Sequence, residues 1–156
     1  MLSKSAQSVQ DALSSQGIET EVIELPASTR TADEAAKAIG CQVAQIVKSL
    51  IFRTKQSNRP ILVLASGANR VNEKTVAKEV GEEIVKADAD FTREATGFAI
   101  GGIPPVGHKQ KITTYIDEDL LQFSVLWAAA GTPHAVFKLE SAILQNLTNG
   151  KVISVK

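Results

Sequence analysis

Val47-Lys48-Ser49-Leu50-Ile51-Phe52-Arg53 is followed, across a short polar stretch, by Pro60-Ile61-Leu62-Val63-Leu64-Ala65-Ser66. Both segments are rich in β-branched and aliphatic residues, the composition of packed strands. Around them the pattern changes repeatedly. Leu2, Ala6, Val9 and Leu13 recur at helical spacing, and Gly17 can end that helix in a left-handed cap. Thr20–Leu25 alternates like a strand and stops at Pro26. Thr31-Ala32-Asp33-Glu34 has capping-box form, which predicts an Ala-rich helix ending at Gly40 and a further turn carrying Val43 and Ile46.

Beyond the two central strands, Gly67-Ala68-Asn69-Arg70 reads as a turn. Asn72 can cap a helix running to Val80, which Gly81 terminates. Ile84–Ala87 reads as a short strand, and Asp90 as the cap of a short helix ending near Gly97. Later strands are expected at Ile112–Ile116, Phe123–Ala128, Ala135–Leu139 and Val152–Val155, with a helix at Ser141–Leu147. Strands alternate irregularly with short helices, without a steady βαβ rhythm or a repeat. The expected fold is therefore α+β, with a mixed, partly barrel-like central sheet flanked by short helices. No linker or composition break divides residues 1–156, so a single domain is expected.

The charge pattern narrows the function classes. Seventeen basic residues balance 17 acidic ones. A DNA-binding protein is disfavoured, because neutralising a duplex usually leaves an excess of Lys and Arg. Local basic patches remain, at Arg53, Lys55 and Arg59, at Arg70, Lys74 and Lys78, and at Lys109 and Lys111. The single cysteine, Cys41, permits no internal disulfide. The N-terminal residues lack the apolar core of a signal peptide, and no apolar run approaches the ~20 residues of a membrane span. A cytoplasmic protein with no membrane partner is expected.

The least ordinary stretch is Gly101-Gly102-Ile103-Pro104-Pro105-Val106-Gly107-His108. Its glycines admit unusual backbone angles and close ligand approach. Its prolines fix φ and remove two amide donors, and Pro104 pushes Ile103 toward an extended shape. The expected result is a stiff loop whose remaining amides can hold a carbonyl oxygen, a phosphate or a developing oxyanion. A tight structural turn is the plainer reading. Gly102 and Gly107 have the spacing of a Walker A loop, but His108 stands where the lysine belongs, so a P-loop NTPase is rejected.

Lys48 is the second candidate. A lysine inside the apolar run Ile46–Phe52 is costly to bury without a partner, although it can also snorkel to water. At a cleft it would hold a phosphate or carboxylate, or polarise a carbonyl. A catalytic nucleophile is poorly supported: Cys41 reads as a structural thiol, and no Gly-x-Ser-x-Gly elbow exists. His108 and His134 lack metal-ligand spacing, so neither a metal nor another cofactor is expected.

Lys48-Ser49-Leu50, the glycine-proline motif at Gly101–His108 and Ala130-Gly131-Thr132 occur in an order that resembles the YbaK-like domains. Those are related to the inserted editing domain of bacterial prolyl-tRNA synthetase. The resemblance runs over nearly the whole chain. It implies a free-standing hydrolase that cleaves the ester joining a wrong amino acid to the 3′ end of tRNA. The implied partners are the tRNA acceptor end and an aminoacyl-tRNA synthetase. The implied catalytic positions are Lys48, Gly101 and Gly102: the two amides fix the ester carbonyl and the lysine anchors the terminal phosphate or ribose. Ile103, Pro104, His108, Gly131 and Thr132 are the expected substrate contacts. A binding module that holds an aminoacyl end or a nucleotide without turnover is the competing expectation.

Overall fold

The amide of Val22 explains the first departure from expectation. It donates to the Gln10 side-chain oxygen at 2.8 Å, so the first helix, and no neighbouring strand, satisfies it. Only Ile23–Glu24, β1, therefore pairs as a strand, and the expected Thr20–Leu25 segment contracts to two residues. That helix, α1 (Lys4–Ser15), starts at Ser3 and buries Ala6, Val9 and Leu13. The computed structural model describes residues 1–156.

The remaining elements follow the chain. They are α2 (Ala32–Ile39), a short turn of helix at Val43–Gln45, β2 (Ile46–Thr54), β3 (Pro60–Ser66), α3 (Glu73–Val80), β4 (Ile84–Lys86), α4 (Ala89–Thr96), β5 (Thr113–Asp117), a second short turn at Glu118–Gln122, β6 (Val125–Ala129), β7 (Ala135–Glu140), α5 (Ser141–Thr148) and β8 (Lys151–Ile153). The capping box at Thr31 and Glu34 forms as expected. The cap of α4 is Asp88 and not Asp90. Asp88 has the extended backbone that a cap needs and accepts from the Phe91 amide at 2.8 Å, which leaves Asp90 inside the first turn. β6 begins two residues later than expected, because the Phe123 amide closes the preceding turn on Leu120.

All eight strands join one mixed sheet, in the order β1-β7-β6-β2-β3-β5-β8, with β4 beside β2. β2 runs antiparallel to β3 and β4 and parallel to β6; β5 is parallel to β3 and β8. β1 and β8 do not pair with each other, so the ladder stays open. Both faces of β3 are buried. Leu62 and Leu64 enter a core with Val47, Ile51, Ile116 and Phe137, while Ile61 and Val63 enter a second core with Phe52, Val76 and Tyr115. Alternate residues on a strand point to opposite faces, so a strand covered on both sides must be aliphatic throughout. Each fully buried large side chain contributes about 1.5–3 kcal/mol.

One irregularity of the sheet positions everything that follows. Along one edge β2 pairs with β3 continuously from Val47 to Arg53. Along the other edge β6 pairs only with Ile46 and Val47, and β4 only with Phe52 to Thr54. Between them Lys48, Ser49, Leu50 and Ile51 lack a strand neighbour on that edge, apart from the Ile51 carbonyl, which accepts from the Ala87 amide at 3.2 Å. The sheet splits at this point, and the split opens a cleft.

Candidate active site

A cavity of about 390 Å³ occupies the split. Its floor is β2 from Ile46 to Leu50; Ala128, Ala129 and Val136 come from β6 and β7, and Ala35 and Ile39 from α2. Lys48, Arg30, Gly101 and Ile103 bring the polar and backbone groups. No carboxylate lines it. The cavity is thus mostly apolar with a few convergent polar groups, the usual make-up of a small-molecule site.

Lys48 is half-buried. Burial pushes its ammonium below the ordinary lysine range, and the nearby Asp117 and Asp33 carboxylates oppose that push. Its Nζ donates to the main-chain carbonyl of Asn69. The Asn69 side chain in turn donates to Asp117 Oδ2 at 2.9 Å and to Asp119 Oδ2 at 2.7 Å. Asp117 is fully buried and also accepts from the amides of Ser66 at 3.0 Å and Asp119 at 2.9 Å. The lysine is therefore held by a turn that a buried carboxylate anchors.

The glycine-proline loop meets this lysine at the cavity. Gly101 has φ of 99°, and a Cβ there would lie 2.8 Å from Arg30 Cγ, so the arginine stem lies against the glycine. The amides of Gly101 and Ile103 have no acceptor within the protein, and both residues line the cavity. Gly102 behaves differently. Its amide donates to Ala99 O at 3.2 Å, its carbonyl accepts from the Gly131 amide at 2.8 Å, and a Cβ would lie 2.8 Å from the Thr132 backbone. Gly102 is thus the point where the loop packs on the Gly131–Thr132 segment. Gly131 and Thr132 stand behind the loop and do not line the cavity, and neither do Pro104 and His108. His108 Nε2 donates to Pro104 O at 2.7 Å, and burial holds the imidazole below its ordinary pKa. The neutral ring closes the loop on itself.

Two hydroxyls at the same cavity have no hydrogen-bond partner in the protein, Thr29 Oγ1 and Ser49 Oγ. Native proteins pair nearly all such buried groups, so both mark a place where bonding capacity is held open. Of the residues singled out in the sequence, the structure brings Lys48, Gly101 and Ile103 to one cavity. Sequence reasoning missed Arg30, Thr29, Ser49 and the Asp117–Asn69 anchor. For Asp117 a signal existed, a charge at the end of the strand Ile112–Ile116, directly beside its apolar residues. For Thr29 and Arg30, in a polar stretch after Pro26, there was none.

The chain is similar to several known proteins. The model of the aminoacyl-tRNA editing domain matches residues 26–147. A solved structure provisionally described as a trans-editing enzyme for prolyl tRNA synthetase is 47% identical, with a TM-score of 0.94 over 100% of this chain and 99% of that one. The provisionally named Cys-tRNA(Pro)/Cys-tRNA(Cys) deacylase EbsC of Enterococcus faecalis is 27% identical over 80% of this chain and 76% of its own. A proline–tRNA ligase of Limosilactobacillus fermentum is 36% identical over 58% of this chain, which spans 16% of that ligase. With the family model covering most of the sheet and the whole split cavity, this chain belongs to the aminoacyl-tRNA editing domain family.

Proposed function

We propose that the protein is a deacylase that hydrolyses the ester between a wrong amino acid and the 3′ end of tRNA. The observation that carries the reading is the convergence of Lys48 and Gly101 on one cavity. The deacylase and trans-editing names of the relatives support it, and they make mischarged tRNA of the prolyl system the first substrate to test. The reaction belongs in the cytoplasm, next to the synthetase that makes the error.

Ester hydrolysis requires a positioned water and donors for the oxyanion; it needs no protein nucleophile. Water adds to the ester carbonyl carbon, charge develops on the carbonyl oxygen, and the bond to the ribose oxygen breaks as that oxygen takes up a proton. The free amide of Gly101 faces the developing charge, with the Ile103 amide as the second available donor. The Gly102 amide, committed to Ala99, supports the loop rather than the oxyanion. Lys48 and Arg30 hold the phosphate or ribose of the terminal nucleotide, and the vicinal ribose hydroxyl assists the water. The apolar residues around Ala128 and Val136 take the amino-acid side chain.

The test is the Lys48→Ala variant against a panel of mischarged tRNAs. Loss of at least ~100-fold in deacylation, with the fold retained, is expected for a group that acts on the bound substrate. Full activity in a folded variant contradicts the assigned role.

A further inference from the structure

Arg70 and Lys86 lie outside the cavity described above. They line a second one, of about 340 Å³, together with Lys48, Glu73 and Thr92. The two cavities share Lys48, Ser49, Leu50, Ile100 and Ile103. They are neighbouring compartments along the unpaired edge of β2, one toward β6 and the other toward β4. Ile100 borders both and is 49% exposed, one of few large apolar side chains so exposed in the protein.

We propose that this second compartment binds the unpaired nucleotide that precedes the terminal adenosine of the tRNA end. The inference rests on the editing reading and extends it from the aminoacyl group to the strand that carries it. Three observations support it. First, the compartment adjoins the first across Lys48, so a chain anchored there by its terminal phosphate continues naturally into it. Second, its charge suits a phosphodiester. Arg70 and Lys86 take no part in the four ion pairs of the protein, which join Lys55 to Glu83, Arg59 to Glu82, Lys151 to Glu79 and Lys156 to Asp119. With Lys48 they make three cations against the single carboxylate of Glu73. Third, Ile100 offers an exposed apolar surface between the two compartments, where an unstacked base can shed water. Single-stranded nucleic acid is held in this way, by a cationic groove and apolar contacts to the base faces. A groove for one or two phosphates also needs no net positive charge, in keeping with the balanced composition.

The test compares two non-hydrolysable ligands. One is 5′-phospho-3′-aminoacylamino-3′-deoxyadenosine, made with each amino acid of the mischarged panel; the other is the same group at the end of a CpCpA trinucleotide. Wild type is expected to bind the trinucleotide form at least about tenfold more tightly, as an added phosphate held between two cations implies. The Arg70→Ala/Lys86→Ala double variant is expected to lose most of that advantage and to bind the mononucleotide form as wild type does. The salt dependence of trinucleotide binding should become shallower by about 0.7 in log–log slope for each cation removed. An equal affinity of wild type for the two ligands, or a double variant that keeps the full advantage, overturns the inference while leaving the editing reading in place. Failure of wild type to bind either ligand removes the editing reading and this inference with it.

Discussion

The Lys48 ammonium donates to the main-chain carbonyl of Asn69, a residue whose side chain is tied to the buried carboxylate of Asp117. The cation at the cavity therefore owes its position to a turn on the neighbouring strand. Asp117 receives the Ser66 amide, the Asp119 amide and the Asn69 side chain. Its removal leaves the Ser66 and Asp119 amides without acceptors and the Asn69 side chain with Asp119 alone. Asp117→Ala is expected to cost about 2–4 kcal/mol in denaturant unfolding. Asn69→Ala keeps the backbone carbonyl but loosens the turn, so it should lower kcat/KM by more than its small effect on stability implies. An Asp117→Ala protein as stable as wild type contradicts the anchor.

Gly101 and Gly102 are neighbours with different duties, and alanine at each should separate them. At Gly101 the backbone angle of 99° resists a side chain and the new Cβ displaces the Arg30 stem. Arg30 is exposed and flexible, so the expected stability loss is the backbone strain of about 1–3 kcal/mol, accompanied by a large fall in kcat. At Gly102 the Cβ meets the Thr132 backbone at 2.8 Å, which cannot swing aside. There the main effect should be on stability, at about 2 kcal/mol or more. Thermal unfolding and single-turnover rates, measured side by side, distinguish the two. A Gly102→Ala variant with native stability refutes the packing role.

His108 predicts how the fold responds to acid. Burial lowers its pKa in the folded state relative to the unfolded value of about 6.5. The unfolded chain therefore binds the proton first as pH falls. The stability contribution is complete above about pH 6.5 and is lost progressively below it, through the lower folded-state pKa. Denaturant midpoints followed from pH 7.5 downward should fall in this window. His108→Gln should flatten the dependence while costing stability at neutral pH. An unchanged pH profile in His108→Gln rules out the assignment.

The open hydroxyls make an unusual prediction. Thr29 Oγ1 is shut off from solvent with no partner. Replacing it by a methyl group of the same shape removes an unsatisfied buried oxygen, which typically costs about 1–3 kcal/mol. Thr29→Val is expected to unfold at a temperature equal to or higher than wild type, and to deacylate more slowly because the cavity loses a polar contact. Such an opposition of stability and activity is common at functional sites. A lower melting temperature with unchanged rate would show that the hydroxyl is structural.

Much of this was legible in the sequence. The strand Pro60–Ser66 declares itself because both of its faces are covered, so nearly every position is apolar, and Val47–Arg53 shows through its aliphatic and aromatic residues Val47, Leu50, Ile51 and Phe52. The Thr31 capping box is written locally and forms as read. The glycine-proline loop and Lys48 were visible because each breaks the expectation for its surroundings. Local signals failed where a distant partner decides the outcome. β1 is two residues long because the Gln10 side chain takes the Val22 amide. Asp88 and Asp90 are alike as capping residues, and only the chain path into α4 selects Asp88. Thr29, Arg30 and Val136 reach the cavity because β6 and β4 part along β2, a consequence of strand order that no single segment states. Gly131 and Thr132 were expected at the amino-acid pocket. They support the loop from behind, because Gly131 donates to the Gly102 carbonyl.

The central claim is that the cavity beside Lys48 and Gly101 hydrolyses mischarged aminoacyl-tRNA. The most direct measurement is the rate of amino-acid release from a panel of radiolabelled mischarged tRNAs, those of the prolyl system first, with correctly charged tRNA alongside. The account predicts rapid, catalytic release from at least one mischarged species and sparing of the correctly charged one. Binding of those tRNAs with no release above the spontaneous rate would contradict it and identify the cavity as a site of recognition alone.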